Sequence, residues 1–226
     1  MAEATVNAPI ARSPIPQPAP TAVVDGWEVH AGHSSAPLRL VDCTPLAKVL
    51  VRARPGSAVA ASLGVGFGHA VRDGHGTLVV GSGPDEWLLL AAPGQEAEVA
   101  ARVRATPSGT STDTLVSVVE VFSHGRALVR LTGTAASKLL AKVCAVDFAD
   151  RVTPDGNAFR TAVAKIATDV IRDDLDGQRS YLLHCERSSG QYLYEALLDA
   201  GAEFGVERDG FAGSGSAGNG FTGREH

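Results

Sequence analysis

The chain has 226 residues, 44% of them hydrophobic and 20% charged, with a net charge of -5. That length can bury the core of one large domain or of two small lobes. The negative charge and the scattered arginines exclude the clustered basic surface that nucleic-acid binding needs. No apolar run approaches the roughly 20 residues of a membrane span, and the N-terminus lacks a signal-peptide pattern. We therefore expect a soluble, cytoplasmic protein.

The two ends of the chain differ in composition from its middle. Residues 1–35 are rich in alanine and proline, with four prolines alternating between residues 14 and 20. This pattern favours extended, polyproline-like backbone, so we expect a disordered tail or an arm that lies on a partner, and Trp27 favours the arm. Residues 209–226 are rich in glycine and serine, which predicts a flexible tail. The folded domain is expected at 36–208.

The first part of that domain, at 36–106, combines short strands with two helices. In the predicted strand at 46–53, Val49 and Val51 alternate with Lys48, as in a half-buried strand whose lysine faces solvent. Further strands are predicted at 77–80 and 86–92, helices at 55–64 and 94–105, and a hairpin turn at 72–76.

The second part, at 113–208, follows a boundary rich in Thr, Ser and Gly at 106–113. Alternating side chains at 159–172 predict one strand, and Thr132 or Thr134 is the expected N-cap of the next helix. Other strands are predicted at 114–122, 127–133 and 179–186, and helices at 134–145 and 188–205. Because strands and helices do not alternate strictly, the sequence predicts an α+β fold of two small lobes, with mixed or antiparallel sheets and helices on one face.

Motifs for nucleotide binding or nucleophilic catalysis are absent from the sequence. The glycine-rich segments at 64–70 and 81–87 lack the spacing and the strand–helix context of a nucleotide loop, so both predict turns. His184 and Cys185 are adjacent on a predicted strand, where they point to opposite faces and cannot form a dyad. The three cysteines, Cys43, Cys144 and Cys185, have no close spacing and predict neither a disulfide framework nor a zinc site.

Candidate metal ligands are equally sparse. His30 and His33 lie three residues apart without acidic neighbours, which is a weak basis for a site. The aspartates at 169–176 fall mainly in a turn, where Asp and Gly serve the backbone, and they lack the ligand spacing of a calcium loop. From the residues alone we predict no cofactor-binding or metal-binding set.

A resemblance to a known family rests on several segments taken together. Residues 119–148 are similar to a strand, helix and Asp-containing turn of the glycine cleavage T-protein family; the matching residues are Arg130, Gly133, Ala136, Leu139, Leu140 and Asp147. With the segments at 83–90, 160–172 and 181–205, the chain resembles the gamma subunits of heterotetrameric sarcosine oxidases over about 38–208.

The resemblance implies a T-protein-like, folate-binding-domain-like fold and a non-catalytic place in a larger enzyme. Such complexes demethylate sarcosine to glycine, make hydrogen peroxide and pass the one-carbon unit to tetrahydrofolate. FAD, FMN, NAD and tetrahydrofolate are then expected in the alpha and beta subunits and zinc in the delta subunit, with none bound by this chain. Its implied partners are the alpha, beta and delta subunits.

One catalytic position of the T-protein family falls near Asp169. In that family an aspartate after a Gly-rich strand orients folate chemistry, whereas Asp169 follows Lys165, Ile166, Ala167 and Thr168. Because a glycine pair is missing, we assign no catalytic residue and keep Asp169 as a candidate. A free-standing folate-binding protein of the aminomethyltransferase type, and a gamma-like subunit of an oxidase for another N-methyl amine, remain open alternatives.

Partner-binding residues are expected among aromatic and arginine side chains, which commonly anchor interfaces. The candidates in this sequence are Trp27, Arg126, Tyr192 and Tyr194. Trp87 lies in an apolar strand and is expected to be buried instead.

Overall fold

The computed structural model describes residues 9–106 and 118–212, and all structural statements below refer to these ranges. The strands are β1 (Ala11–Arg12), β2 (Thr21–Val24), β3 (Trp27–His30), β4 (Leu38–Asp42), β5 (Ala47–Arg52), β6 (Ala70–Arg72), β7 (Leu78–Gly83), β8 (Glu86–Ala91), β9 (Val118–Val121), β10 (Arg126–Gly133), β11 (Ala158–Val163), β12 (Ile166–Arg172), β13 (Ser180–Glu186) and β14 (Glu207–Asp209). The helices are α1 (Ala58–Leu63), α2 (Glu96–Arg104), α3 (Ala136–Val143) and α4 (Gly190–Gly201).

These strands form three sheets. A five-stranded sheet has the order β6-β7-β8-β5-β9, a six-stranded sheet has the order β11-β12-β13-β10-β4-β14, and a small N-terminal sheet has the order β1-β3-β2. The β1–β3 and β4–β14 pairs are parallel, while the two larger sheets are otherwise antiparallel. The predicted α+β class with mixed and antiparallel sheets is confirmed.

The six-stranded sheet has two differently covered faces. Helices α3 and α4 pack on one of them, which we call the helix-covered face; its strand residues include Ala127, Val129, Leu131, Val170, Tyr181, Leu183 and Cys185. The opposite, inter-sheet face packs on the five-stranded sheet; Leu128, Ile171 and Leu182 meet Leu78, Val80, Leu88 and Leu90 there. Alternation of side chains along each strand therefore supplies two separate cores from one sheet.

The outer face of the five-stranded sheet is covered by α2. Val99 and Val103 of this helix pack with Val49 and Leu89 in a third apolar cluster. The predicted burial of Val99 and Val103, four residues apart on one helical face, is confirmed.

The sheets do not follow the expected division into lobes at 36–106 and 113–208. Strand β4, from the first part, pairs with β10 and β14 of the second part. In return β9, from the second part, pairs with β5. Local patterns identify strands but not their distant partners, because pairing is decided by which apolar faces can be covered together. The expected boundary at 106–113 lies almost entirely outside the described residues.

The N-terminal segment differs from the expected extended arm. From residue 9 it forms the small three-stranded sheet, and Ile15, Trp27 and Val29 are buried in the cores of the domain. Gln17 fixes it further, since its Nε2 donates to Asp42 Oδ2 at 2.7 Å. The alternating prolines suppress helix but do not prevent the hairpin that follows them.

The C-terminal boundary also extends beyond its expected place. Phe211 is buried beside Trp27 and Val29, and its backbone N–H donates to the carbonyl of His30 at 3.1 Å. The domain thus reaches into the segment expected to be a flexible tail, of which residues 213–226 lie outside the described ranges.

The single strand predicted at 159–172 is a hairpin. Strands β11 and β12 are joined at Ala164 and Lys165, which have φ angles of 48° and 68°. Two successive positive φ angles are typical of the tight turns that join antiparallel strands. Neither residue is Gly, Asn or Asp, so the sequence carries no ordinary signal for this turn.

Most helix boundaries agree with the prediction, but one cap does not. Ser57 caps α1 by accepting a hydrogen bond from the backbone N–H of Ala60, and Gly64 ends the helix with a φ of 62°. Helix α3 begins after Ala135 and has no side-chain cap, so the assignment of Thr132 or Thr134 is wrong. The expected burial of Trp87 is confirmed: its Nε1 donates to the carbonyl of Val65 at 2.7 Å.

Glycine is required at Gly133, which lies opposite Leu38 where β10 ends and β4 begins. The residue has a φ of 141°, and a Cβ atom there would lie 2.1 Å from the carbonyl oxygen of Pro37. Any other residue would force the two strands apart at this position.

Across the described residues, no helix combines the length and the apolar character needed to cross a membrane.

Candidate functional site

A cavity of about 270 Å³ lies between the two larger sheets. Part of its lining is apolar, from Leu50, Leu88 and Phe122. The rest is polar or charged: Arg52, Ser82, Glu86, Glu120, Arg126, Arg160, Asp169 and His184. An apolar surface with a few converging polar groups is the usual form of a small-molecule site.

Asp169 is the centre of a hydrogen-bonded group in the wall of this cavity. It lies opposite Arg160 of β11 and His184 of β13 in the strand register. The Arg160 guanidinium donates to its Oδ1 at 2.6 Å and to its Oδ2 at 3.2 Å. His184 Nδ1 lies 3.0 Å from Oδ2. Both carboxylate oxygens of Asp169 are therefore bonded within the chain.

The ionisation of Asp169 and His184 follows from this geometry. Burial acts to raise the pKa of Asp169, but hydrogen bonds from His184 and Arg160 outweigh it and hold the pKa below its ordinary value. Burial lowers the pKa of His184, and Asp169 only partly opposes that effect. An ionised Asp169 beside a neutral His184 assigns the ring proton to Nδ1 and makes Nε2 a hydrogen-bond acceptor. Within the described part of the chain, that Nε2 has no hydrogen-bond partner.

Two further ion pairs border the cavity. Arg52 Nη2 lies 2.9 Å from Glu86 Oε2, and Arg126 pairs with Glu186 beside the opening. The Arg126 guanidinium also lies 5.8 Å from the centre of the Phe122 ring. Glu120 is exposed and forms no ion pair with any residue that the structure describes.

The sequence had singled out Asp169 but not its partners. Asp169 lies within β12 rather than in the predicted turn, and Arg160 and His184 were not linked to it. The expected opposite orientation of His184 and Cys185 is confirmed, since Cys185 packs on the helix-covered face while His184 lines the cavity.

The four candidate partner-binding residues fall into two groups. Trp27 and Tyr194 are each only 5% exposed; the Trp27 ring stacks on His124 at 4.8 Å, and the Tyr194 hydroxyl donates to the carbonyl of Leu40 at 3.2 Å. Both side chains thus pack within this chain and offer little surface to a partner. Tyr192 is 53% exposed, and Arg126 is partly exposed beside the cavity.

Metal-ligating side chains do not converge. No group of three or more His, Cys, Asp or Glu residues with metal-site geometry occurs at 9–106 or 118–212. His30 Nδ1 instead bonds the carbonyl of Pro18 at 2.9 Å. Asp173 and Asp174 of the predicted turn pair with arginines.

A buried ion cluster bridges the two larger sheets apart from the cavity. Arg130 and Arg72 place guanidinium nitrogens 2.7 Å and 2.6 Å from the same Asp173 oxygen. Arg130 is 1% exposed, and it also donates to Ser180 Oγ at 2.8 Å. Buried charges persist in proteins only when paired in this way.

Lys48 does not face solvent as the strand pattern predicted. Its side chain is fully buried, and its Nζ donates to the carbonyls of Thr44 and Leu46 at 2.7 and 2.9 Å. Burial lowers its pKa to about 8, although Asp42 opposes the effect. Both carbonyls lie within four residues of Lys48 along the chain. Its burial depends instead on the pairing of β5 with the distant strands β8 and β9, which no local pattern identifies.

The chain matches a family model and several known proteins. Residues 56–216 match the GCVT N-terminal domain. The chain is 30% identical to the sarcosine oxidase subunit gamma of Corynebacterium sp. strain P-1, over 78% of this chain and 86% of that protein. It is 32% identical to the subunit gamma of Corynebacterium sp. strain U-96, over 81% and 87% of the two chains.

A solved structure agrees with these relatives. One chain of the heterotetrameric sarcosine oxidase from Corynebacterium sp. U-96, in complex with pyrrole 2-carboxylate, superposes with a TM-score of 0.63 and 27% identity. The match covers 77% of this chain and 89% of that one. The predicted T-protein-like fold is thereby confirmed, and the chain belongs to the family of sarcosine oxidase gamma subunits, built on a GCVT N-terminal domain.

Proposed function

We propose that this chain is a non-catalytic subunit of a cytoplasmic heterotetrameric sarcosine oxidase and supports its assembly. The observation that carries the proposal is the match to two gamma subunits over 86% and 87% of their lengths. The partners are the alpha, beta and delta subunits of the complex.

The chemistry of the proposed complex resides in those partners. The complex demethylates sarcosine to glycine and forms hydrogen peroxide and 5,10-methylenetetrahydrofolate. FAD, FMN, NAD, tetrahydrofolate and zinc are bound by the other subunits in this proposal. The state of Asp169 supports a non-catalytic chain, because a carboxylate bonded through both oxygens to Arg160 and His184 has little capacity left to orient a substrate.

The test is purification of the tagged chain from its native host, followed by identification and an absorbance spectrum of what accompanies it. We expect large flavin-containing chains and sarcosine-dependent peroxide formation in the purified assembly. A chain that purifies alone would contradict the assembly proposal.

Tyr192 offers a sharper version of this test, because it is exposed on α4. We expect Tyr192→Ala to reduce the yield of co-purified large subunits severalfold, as interface tyrosines often carry binding energy. Glu195→Ala, on the same helix and also exposed, is the matched control. A yield from Tyr192→Ala that equals the wild-type yield would remove Tyr192 from the interface.

Free-standing folate binding is the alternative that the fold itself favours, since the GCVT domain also belongs to glycine cleavage aminomethyltransferases. Titration of the isolated chain with tetrahydrofolate decides between the subunit role and free-standing folate binding. Saturable binding would favour the free-standing protein. If the assembly forms but prefers another N-methyl amine to sarcosine, the subunit assignment stands and the substrate changes.

A further inference from the structure

Strand β11 is an outer strand of the six-stranded sheet, and within the described residues it pairs with β12 alone. Because the turn between these strands has two residues, alternate residues of β11 point their backbone N–H and C=O groups away from β12. At two of these outward positions the backbone N–H is bonded: Ala158 donates to the carbonyl of Gly68, and Ala164, in the turn, to the carbonyl of Val143, both at 2.8 Å. The outward positions between them differ.

Arg160 and Ala162 occupy those positions, and we call this part of the strand the edge gap. Both residues are exposed. Their outward N–H and C=O groups form no backbone hydrogen bond with any other segment at 9–106 or 118–212. Exposed groups of this kind on an outer strand pair readily with another extended chain. Each residue supplies one donor and one acceptor, so the edge gap can pair with a segment of about three residues.

The turn next to the edge gap is unusual for this chain. Three two-residue turns of the described chain have successive positive φ angles, at Asp25–Gly26, at Asp176–Gly177 and at Ala164–Lys165. Asp and Gly adopt such angles readily, whereas Ala and Lys lose conformational free energy there. Strain that is kept at a well-fixed turn is a reason to look for a role beyond folding.

Lys165 is the side chain that this strained turn presents. It is exposed and pairs with no carboxylate that the structure describes, whereas the neighbouring Arg160 pairs with Asp169. The edge gap therefore has one positive charge at its end that no group of the described chain neutralises. A cationic edge disfavours pairing with a second copy of itself and favours an acidic segment.

We propose that an extended, acidic segment of a partner subunit pairs with the edge gap and places a carboxylate beside Lys165. The six-stranded sheet would then continue beyond β11 into the partner. Ala162 and Ala167 lie opposite each other on the hairpin and are both exposed, so only methyl groups flank the partner segment on that face. The inference rests on the proposed role as a subunit and names the part of this chain that a partner holds.

The backbone pairing is tested by two substitutions at one residue. Ala162→Pro removes an outward N–H and blocks the approach of a strand; because that N–H does not donate to β12, the domain should stay folded. Ala162→Thr keeps the N–H and suits a strand. With the tagged full-length chain in its native host, we expect Ala162→Pro to lower the yield of co-purified large subunits at least about fivefold. Ala162→Thr should change it less than about twofold.

The charge is tested at Lys165. Lys165→Asn removes the charge and suits a positive φ angle, so the isolated chain should melt about 1–3 °C higher. We nevertheless expect the yield of co-purified subunits to fall at least about threefold. Lys165→Arg keeps the charge and should keep the yield. A lysine with a purely structural role would give a higher yield, not a lower one, when the turn is relaxed.

The outcomes separate this inference from the proposed function. A wild-type yield from Ala162→Pro or from Lys165→Asn, or an equal loss from Ala162→Thr and Ala162→Pro, would overturn the pairing and leave the subunit assignment intact. A wild-type chain that purifies alone would reject the assignment and the partner segment with it. Urea unfolding of each variant checks its folding, and Lys165→Asn decides if Ala162→Pro does not fold.

Discussion

The two faces of the six-stranded sheet have opposite chemistry although the same strands build them. On the helix-covered face, successive strands present Val129, Leu131, Tyr181 and Leu183 to α3 and α4. On the inter-sheet face the alternate positions include Arg130 and His184 as well as Leu128 and Leu182. One face is thus an ordinary apolar core, while the other mixes apolar contacts with buried charge.

This difference separates the parts of the molecule that stabilise it from those that can recognise other groups. Burial of apolar area on the helix-covered face is favourable without geometric precision. Charges on the inter-sheet face are tolerated only because each has a partner at hydrogen-bond distance. Such groups contribute little net stability but fix register and electrostatics.

The largest expected effect comes from breaking the buried charge cluster. Asp173→Asn removes the buried negative charge that Arg72 and Arg130 share. We expect the free energy of unfolding to fall by about 3–5 kcal/mol, as for other broken buried pairs. Urea denaturation measures it.

The matched control is an exposed ion pair. Glu98→Gln removes one of the two acidic partners of Arg102 on α2, whose Nη1 lies 3.4 Å from Glu98 Oε1. It should cost less than about 1 kcal/mol. If Asp173→Asn and Glu98→Gln lost similar free energies of unfolding, a buried ion pair would matter no more to stability than an exposed one.

Truncation on the helix-covered face should have a comparable or slightly smaller effect. Leu183 is fully buried against α4, so Leu183→Ala is expected to cost about 2–5 kcal/mol through lost transfer energy and a residual cavity. Val71→Ala, at an exposed position, should stay within about 0.5 kcal/mol. Thermal and urea unfolding compare them, and a loss below 1 kcal/mol for Leu183→Ala would mean that this core collapses around the gap.

The smallest effect is a pH dependence of the free energy of unfolding, which we expect from the buried Lys48 on the inter-sheet side. Lys48 has a pKa of about 8 in the fold against an ordinary value of 10.5. Between these values the unfolded chain binds more protons, so the contribution of Lys48 to stability rises with pH across this window, at up to about 1.4 kcal/mol per unit.

Urea unfolding gives the free energy of unfolding of wild type and of Lys48→Met at pH 8 and at pH 10. The contribution of Lys48 is the change, between the two pH values, in the difference between the two proteins. Lys138→Met, an exposed lysine on α3, should leave the pH dependence of the wild type unaltered. If the difference in the free energy of unfolding between wild type and Lys48→Met stayed constant from pH 8 to pH 10, the backbone carbonyls of Thr44 and Leu46 would be shown to hold a charged amine.

Two tight turns explain which residues of the cavity could be predicted from the sequence. The Asp176–Gly177 turn was recognisable, and its hairpin places Asp169 opposite His184. The turn at Ala164 and Lys165 was not, and it alone places Arg160 opposite Asp169. Sequence reasoning therefore selected Asp169 but missed the arginine that neutralises it, because a hairpin without Gly, Asn or Asp at its turn resembles one long alternating strand.

Local sequence patterns were enough to predict the α+β class, the four helices, about half of the strands and the resemblance to the gamma-subunit family. These depend on local periodicity, turn residues and motif order, which act over a few neighbouring positions. The exchange of β4 and β9 between sheets, the burial of Trp27 and Lys48, and the grouping of Arg160, Asp169 and His184 became evident from the folded chain alone. These features depend on which distant faces cover one another, and the free energy of that burial belongs to the whole chain rather than to any segment.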